Sequence, residues 1–147
     1  EAVSMQQEYW DTVVNESIEE SKAGRTPNPD MLCNARVKFG LFYEHIGKHF
    51  SKIVTGHYAR VALVDDGEEG EVGLFRSPDR VKDQTYFLSS LTQKQLRTAV
   101  FPIGEFNKSD VRALAEELTL PTKGRKDSQG LCFLGKLKWN DFMEHCL

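Results

Sequence analysis

The amino-acid sequence predicts an α/β protein with a parallel sheet and a small β-hairpin, and three observations support this fold class. Residues 3–22 and 30–48 carry apolar side chains at helical spacing. A short apolar strand begins at Lys52 and runs into Gly56, which is typical of parallel sheets whose ligands lie at the carboxyl ends of the strands. Helices and short strands alternate along the chain, so we expect part of a parallel sheet.

Length and composition bound the protein class. The chain has 147 residues, which is enough for one domain with a core. It is 39% hydrophobic and 28% charged, as in ordinary globular proteins, and its net charge of -3 argues against nucleic-acid binding over the whole surface but allows a local basic patch. No apolar run has the length of a membrane span. An odd number of cysteines, at Cys33, Cys132 and Cys146, favours a reducing compartment over a secreted disulfide framework.

The first helix is expected from about Val3 to Lys22, with Gly24 ending it. A stiff loop with two prolines follows, and Asp30 is expected to cap a second helix that runs to about Lys48. Cys33 would then occupy the third helical position, where unpaired N–H groups and the helix dipole favour a thiolate. The nearby Asp30 carboxylate would oppose this, and an ordinary buried thiol is the alternative. Cys33 lies off the centre of the apolar stripe of this helix, which favours an accessible sulfur; the stripe comprises Leu32, Ala35, Phe39, Phe42 and Ile46.

Gly56 follows the short strand and would let a ligand approach the backbone closely. A simple turn glycine followed by a structural histidine, His57, is the alternative reading of this segment. The residues 61–64 and 72–75 flank an acidic, glycine-containing segment and predict a β-hairpin with a solvated tip.

A basic segment precedes the next apolar residues. Asp83 could cap a helix that carries Tyr86, Phe87 and Leu91, with a cluster of cations at its start, namely Arg76, Arg80 and Lys82. Such a cluster could hold phosphates, although a solvated surface is an equally good explanation.

The last third of the chain carries two further patterns. Residues 101–104 indicate a short strand or extended segment, and 107–110 resemble a capping box that opens a helix ending near Thr119. The apolar face of that helix would hold Val111, Leu114, Ala115 and Leu118. Basic residues then surround Cys132, and this electropositive neighbourhood favours its thiolate; they are Lys123, Arg125, Lys126, Lys136 and Lys138.

Five motifs, in order and spacing, resemble those of the tRNA-specific 2-thiouridylases. They are Gly24–Asp30 with Cys33-Asn34, Thr55–Arg60, Lys82–Gln84, Phe101–Gly104, and Asp127–Gly130 with Cys132-Phe133. The resemblance implies a PP-loop adenine-nucleotide hydrolase-like (Rossmann-like) fold. It also implies an ATP-dependent transferase of sulfur that replaces O2 of the wobble uridine of tRNA, with ATP and Mg²⁺ as cofactors. The sulfur would come as a persulfide from a donor protein, either a sulfur-relay protein or a cysteine desulfurase.

The resemblance also implies roles for individual residues. Cys33 matches the nucleophilic cysteine and Cys132 the cysteine that carries the persulfide, with a Cys33–Cys132 disulfide formed in turnover. Asp30 would face the flipped uridine or its activation chemistry, and Gly56 matches the ATP-site glycine. The matching tRNA-contacting residues are Asn28, Pro29, Asp30, His57, Lys82, Asp83 and Gln84. Cys146 matches nothing in this scheme, and no protein metal site is implied.

The phosphate-binding loop of the family, of the type Ser-Gly-Gly-x-Asp-Ser, has no match in this chain. We therefore expect a fragment: residues 1–135 as the back part of the catalytic domain and 136–147 as the start of the following domain. Alone, such a fragment is expected to bind ATP poorly and to be inactive. The parent protein is expected in the cytoplasm, or in a mitochondrial or plastid matrix, without membrane contact.

Three other functions are compatible with parts of the pattern. Another PP-loop tRNA sulfurtransferase or an adenylating ligase would share the fold, although amidation needs no pair of thiols. A non-catalytic RNA-binding remnant would use Lys82 and the basic stretch from Lys123 to Lys138. A thiol-disulfide redox module is disfavoured, because the cysteines do not form a Cys-x-x-Cys motif.

Overall fold

The computed structural model describes residues 3–64, 70–125 and 139–146. Its first element, α1, is one continuous helical segment made of an α-helix Gln6–Tyr9, a π-helical stretch Trp10–Val14 and an α-helix Asn15–Lys22. Gly24 ends it with a φ of 75°. The amides of Gly24 and Arg25 donate to Ser21 O (3.0 Å) and Glu20 O (2.9 Å), which is the hydrogen-bond pattern of a Schellman motif. The predicted helix and its glycine stop are confirmed.

The second helical segment, α2, consists of Pro29–Leu32, a π-helical stretch Cys33–Leu41 and Phe42–His45, and a 3-10 turn Gly47–His49 follows it. The predicted cap was wrong by two residues. Asn28, not Asp30, is the N-cap, and its side chain accepts from Met31 N at 3.2 Å. The physical reason is Pro29, whose fixed φ and missing N–H suit the first helical position, so that Asp30 lies inside the first turn.

Two small sheets follow, as predicted. Strand β1 (Ile53–Val54) pairs in parallel with β4 (Ala99–Val100), and the amide of Thr55 donates to Val100 O at 3.1 Å. Strands β2 (Ala59–Leu63) and β3 (Val72–Arg76) form an antiparallel hairpin. The tip of the acidic segment, 65–69, lies outside the described residues. The α/β class, with a parallel pair and a hairpin, is confirmed.

The remaining elements are a 3-10 helix Thr85–Leu88, α3 (Gln93–Thr98), α4 (Lys108–Glu117) and α5 (Trp139–Cys146). The capping box of α4 is confirmed, since the amide of Asn107 donates to the Asp110 carboxylate at 3.2 Å. Asp83 does not cap the 3-10 helix. The N-cap of this helix is Gln84, whose side chain makes no capping bond. The Asp83 carboxylate is not available to cap the helix, because it accepts hydrogen bonds within its own loop.

The segment 101–104 was predicted to be a strand or extended, and this was wrong. Strand β4 ends at Val100, and the chain turns so that the amide of Gly104 donates to Phe101 O at 3.0 Å. The turn presses Gly104 against β2. A Cβ on Gly104 would lie 1.8 Å from Ala59 O, so only glycine fits at this position.

Helix α2 lies between two apolar clusters. Phe39 belongs to the first, with the sheet residues Ile53, Ala59 and Ala99, whereas Cys33 and Val37 belong to the second, against α1. The expectation of an accessible Cys33 was wrong, because its relative exposure is 2%. The reason is that a second face of α2, which carries Cys33 and Val37, also packs against α1, whereas the predicted stripe with Ala35 and Phe39 packs against the sheet.

The apolar face predicted for α4 is largely exposed, with Leu114 at 42% and Leu118 at 63%. The fifth motif, Asp127–Gly130 with Cys132-Phe133, lies outside the described residues, as do Lys126, Lys136, Lys138 and the predicted domain boundary at 135/136. Among the helices of the described ranges, none combines the length and the apolar character needed to cross a membrane.

Candidate functional site

The loop that precedes α2 borders a cavity. Residues Thr26, Pro27 and Asn28 line one side of this space of about 470 Å³, and Leu32, Ala35 and Ser90 lie among its other walls. The side chain of Asp30 is exposed to solvent. The proline-rich loop therefore stands open, as the sequence predicts for a stiff recognition loop.

Cys33 does not have the surroundings predicted for it. Its amide donates to Pro29 O and Asp30 O, so it is not one of the unpaired donors of the first turn. The thiol is buried in a cluster with Met5, Tyr9 and Val13 of the α1 segment. A sulfur at 2% exposure is shielded from reagents and substrates in this conformation.

Gly56 and His57 lie just beyond the carboxyl end of β1. Gly56 is exposed, and a Cβ there would have Ile103 Cδ1, at 4.0 Å, as its nearest neighbour, so a ligand can reach the backbone. His57 is 8% exposed, and its Nδ1 lies 2.7 Å from Thr55 Oγ1. Burial, with a further contribution from the Lys38 charge, lowers the pKa of His57 to about 4. His57 is therefore a neutral ring at pH 7, and its assignment as a tRNA-facing residue stays a prediction.

The loop of Lys82, Asp83 and Gln84 is fixed by its own side chains. Asp83 accepts from the amide of Ser77 (2.9 Å) and from Thr85 Oγ1 (2.7 Å). Partial burial alone would raise the pKa of Asp83. The two hydrogen bonds and the nearby Arg76 guanidinium together outweigh burial, so the pKa of Asp83 is lowered. Gln84 pairs with Tyr58 twice, since Gln84 Oε1 accepts from Tyr58 N and Tyr58 O accepts from Gln84 N.

These bonds bring three predicted segments together. Tyr58 directly follows the pair Gly56 and His57, so its bonds to Gln84 hold the strand end against the loop. Asn34, next to Cys33 on α2, donates through Nδ2 to Phe87 O at 2.9 Å, which ties the 3-10 helix that follows this loop to α2. The candidate ATP glycine, the candidate tRNA loop and the cysteine helix are thus neighbours, whereas Cys132 lies outside the described residues.

The sequence interpretation missed Lys38, which donates from Nζ to Asn34 Oδ1 at 2.9 Å and whose charge acts on His57. The spacing of four between Asn34 and Lys38 could have indicated this pair, because such residues are neighbours on a helix. The role of Asn34 in joining α2 to Phe87 depends on a contact 53 residues away, and no local pattern signals it.

A basic surface adjoins the loop. The side chain of Arg76 is 85% exposed, Arg80 is exposed, and both border a cleft of about 500 Å³. Val81 at 85% and Tyr86 at 63% exposure stand beside these cations. Cations interleaved with exposed apolar and aromatic side chains suit contact with a nucleic acid. Within the described ranges, no group of three or more His, Cys, Asp or Glu side chains could hold a metal ion.

Residues 1–136 match the sequence model of a family described as the tRNA methyl transferase HUP domain. The chain is also similar to proteins named tRNA-specific 2-thiouridylase MnmA. It is 53% identical to the one from Parabacteroides distasonis, over 100% of this chain and 40% of the relative. Identity is 48% to the one from Staphylococcus epidermidis, over 99% of this chain and 39% of the relative. It is also 48% to the one from Porphyromonas gingivalis, over 100% of this chain and 40% of the relative.

The chain thus spans about 40% of the length of the curated relatives it matches. The alignments cover essentially the whole chain, and so include the segments of all five motifs. This similarity confirms the resemblance drawn from those motifs.

Proposed function

Because the chain belongs to the tRNA methyl transferase HUP domain family, we propose that its parent protein carries out ATP-dependent 2-thiolation of the wobble uridine of tRNA. The main support for this proposal is the 53% identity, over the whole chain, to a protein named tRNA-specific 2-thiouridylase MnmA. The geometry supports the same activity, since Gly56, the loop 82–84 and the Cys33 helix are joined by hydrogen bonds. A protein of this activity is a transferase of sulfur-containing groups.

Substrate recognition is assigned to two exposed parts of this chain. The open loop of Asn28, Pro29 and Asp30 borders a cavity and would meet the uridine after it leaves its stack in the anticodon loop. The stiffness that Pro27 and Pro29 give to this loop reduces the ordering cost of binding. The basic surface at Arg76 and Arg80 would contact phosphates of the same tRNA.

Activation of the base precedes sulfur transfer in this proposal. The uracil O2 is a poor leaving group, and its adenylation at the expense of ATP turns it into part of AMP, which leaves readily. Gly56 would lie against the nucleotide, since its backbone is exposed and uncovered by a side chain. Within the described ranges no group of three or more His, Cys, Asp or Glu side chains is placed to hold an ion, and we assign no step to Mg²⁺.

Sulfur transfer is assigned to the two cysteines. The terminal sulfur of a Cys132 persulfide attacks C2, and AMP leaves with the electron pair of the C2–O bond. The Cys33 thiolate then attacks the Cys132 sulfur. The S–S bond breaks, its electron pair stays on the sulfur attached to C2, and a Cys33–Cys132 disulfide forms. A thiol reductant must supply two electrons and two protons to restore both thiols.

The burial of Cys33 adds one requirement. Because Cys33 is 2% exposed, in a cluster with Met5 and with Tyr9 and Val13 of α1, this cluster must open before Cys33 can reach a persulfide. A conformational step of this kind is common when substrate binding assembles a site. It makes the second step of sulfur transfer dependent on a rearrangement at the contact between α1 and α2.

The proposed partners are tRNA and a protein that delivers persulfide sulfur, either a sulfur-relay protein or a cysteine desulfurase. Both disulfide reduction and persulfide delivery require a reducing compartment, such as the cytoplasm or an organelle matrix. We assign no role to Cys146.

The test is the 2-thiouridine content of tRNA, measured by mass spectrometry of nucleosides. Cells would carry the full-length parent with Cys33→Ala, Cys132→Ala or, as a control for cysteine loss, Cys146→Ala. Loss of 2-thiouridine with the first two and retention with the third would support sulfur transfer by this pair. Unchanged 2-thiouridine in all three strains, with the protein folded and no second enzyme present, would favour an RNA-binding protein without this chemistry.

A further inference from the structure

The loop that carries Arg80 and Lys82 is organised by one carboxylate that the sequence interpretation did not single out. Asp79 Oδ1 accepts from the amides of Val81 (2.9 Å) and Lys82 (3.0 Å). Asp79 Oδ2 accepts from the amide of Lys108, the first residue of α4, at 2.8 Å. One side chain thus satisfies three backbone donors, two in its own loop and one 29 residues away.

The charged form of Asp79 is the form that makes these bonds. Hydrogen bonds from the amides of Lys108 and Lys82 are the main causes that lower the pKa of Asp79, against a smaller effect of burial. An ionised carboxylate has acceptor sites on both oxygens, and its bonds to N–H groups are charge-assisted. At neutral pH the carboxylate therefore stays ionised and keeps all three donors.

The backbone N–H donors at the start of α4 are consequently already bonded to side chains of this chain. Asp79 takes the amide of Lys108, and Asp110 takes the amide of Asn107. These are donors that a helix N-terminus would otherwise offer to a phosphate. An anionic partner at this surface must therefore be held by the side-chain cations.

The turn presents Arg80 outward. Arg80 is exposed and forms no ion pair within the described part of the chain, and Val81 beside it is 85% exposed. Asp79 O also accepts from the amide of Asp83 at 2.9 Å, so the backbone from Asp79 to Asp83 is closed into one turn. A cation on a fixed backbone loses less conformational entropy on binding than one on a free loop.

We propose that Asp79 is a positioning residue for tRNA binding: its carboxylate fastens the turn that carries Arg80 to the first residue of α4 and so holds the Arg80 guanidinium toward RNA phosphates. This inference rests on the proposed function, because it takes tRNA as the partner. Asp79 acts through its neighbours and does not itself meet the RNA.

The direction of the change in tRNA affinity on Asp79→Asn distinguishes a positioning role from a simple effect of net charge. Asp79→Asn removes one negative charge, which by itself would strengthen binding of an anionic RNA. The asparagine side chain has one acceptor oxygen, so it can keep the loop bonds or the Lys108 bond but not both. We expect Asp79→Asn in the full-length protein to weaken tRNA binding by about 10-fold. Asp11→Asn is the matched control, because Asp11 is exposed on α1 and its carboxylate accepts from Gln7 Nε2 on the same helix. This variant should bind tRNA as the wild type does or slightly better.

A second pair of variants removes only the hydrogen bond. Lys108 is at the first helical position, where proline is well tolerated, so Lys108→Pro deletes the N–H that Asp79 accepts. Lys108→Ala removes the same charge and keeps the N–H. We expect Lys108→Pro to bind tRNA several-fold more weakly than Lys108→Ala, with equal thermal stability. In an Arg80→Ala background the difference between the two should disappear, which a purely structural role would not produce.

The measurement is tRNA affinity by filter binding as a function of salt, with 2-thiouridine formation assayed separately. Weaker binding by Asp79→Asn and Lys108→Pro, with a smaller salt slope than wild type, supports the inference. Equal or tighter binding by Asp79→Asn, or equal binding by Lys108→Pro and Lys108→Ala, overturns it, while thiolation by the wild type would leave the proposed function standing. Failure of the wild type to bind tRNA overturns both.

Discussion

Gly56→Ala separates a nucleotide-binding role of this glycine from a structural one. A Cβ on Gly56 meets only Ile103 Cδ1, at 4.0 Å, which is an ordinary van der Waals contact. The residue is exposed, and its φ lies outside the left-handed region. The free energy of unfolding should therefore change by less than about 0.5 kcal/mol, which corresponds to a shift in Tm of no more than about 2 °C. If ATP lies against this backbone, the added methyl group occupies the space of the ligand, and the KM for ATP should rise by about 10-fold or more.

The assay is ATP-dependent thiolation by the full-length protein at varied ATP, with Tm measured on the same samples. Gly124→Ala is the matched control, because a Cβ on Gly124 has no neighbour within 4 Å and the residue is far from β1 in sequence. An unchanged KM for ATP with Gly56→Ala would refute the placement of the nucleotide at this strand end. A large fall in Tm would instead refute the reading of Gly56 as sterically unconstrained.

Three further predictions concern the same region. Gly104→Ala should destabilise the protein by at least about 3 kcal/mol in urea unfolding, because its Cβ would lie 1.8 Å from Ala59 O; an effect below 1 kcal/mol, on the order of a surface substitution, would contradict this packing. His57 has a folded pKa of about 4, below its ordinary value, so the unfolded state binds more protons between about pH 4 and 6.5. Stability should then fall by up to about 3 kcal/mol as pH drops through that window, and His57→Gln should flatten the profile. In a Cys132→Ser/Cys146→Ser background, Cys33 should react with a maleimide at least about 100-fold more slowly in buffer than in urea, since it is 2% exposed; equal rates would show that the sulfur is accessible.

The elements that sequence predicted correctly are those fixed by local physics. Gly24 ends α1 because its positive φ closes the last turn, and Asn107 and Asp110 pair within one helical turn. The hairpin of β2 and β3 follows from two short apolar runs, 61–64 and 72–75, on either side of a polar, acidic segment. Each of these signals involves residues close together in the chain, and each is visible in the sequence alone.

The errors arose where distant contacts compete with local preference. Aspartate is a common N-cap residue, but the Asp83 carboxylate accepts hydrogen bonds from Ser77 N and Thr85 Oγ1 and is therefore not available to cap the helix. Cys33 was expected at the surface because it lies off the one predicted apolar stripe, whereas the packing of α1 against a second face of α2 buries it. Asp79 was missed because its partner at the start of α4 is 29 residues away. Family resemblance identified the loop 82–84, but it did not indicate what holds that loop in place.

The hydrogen bonds around this loop connect it to the strand end at Gly56 and to the helix that carries the buried cysteine. Gln84 bonds Tyr58 across 26 residues, and Asn34 bonds Phe87 O across 53, so a displacement of the loop moves both the strand end at Gly56 and the start of α2. Asn34 is adjacent to Cys33 on that helix. If tRNA contacts the loop as proposed, its binding acts on the backbone that carries Cys33, and the exposure of the sulfur depends on the RNA. The burial of Cys33 is then consistent with a reactive role, because the thiol is protected until the substrate that needs it has bound.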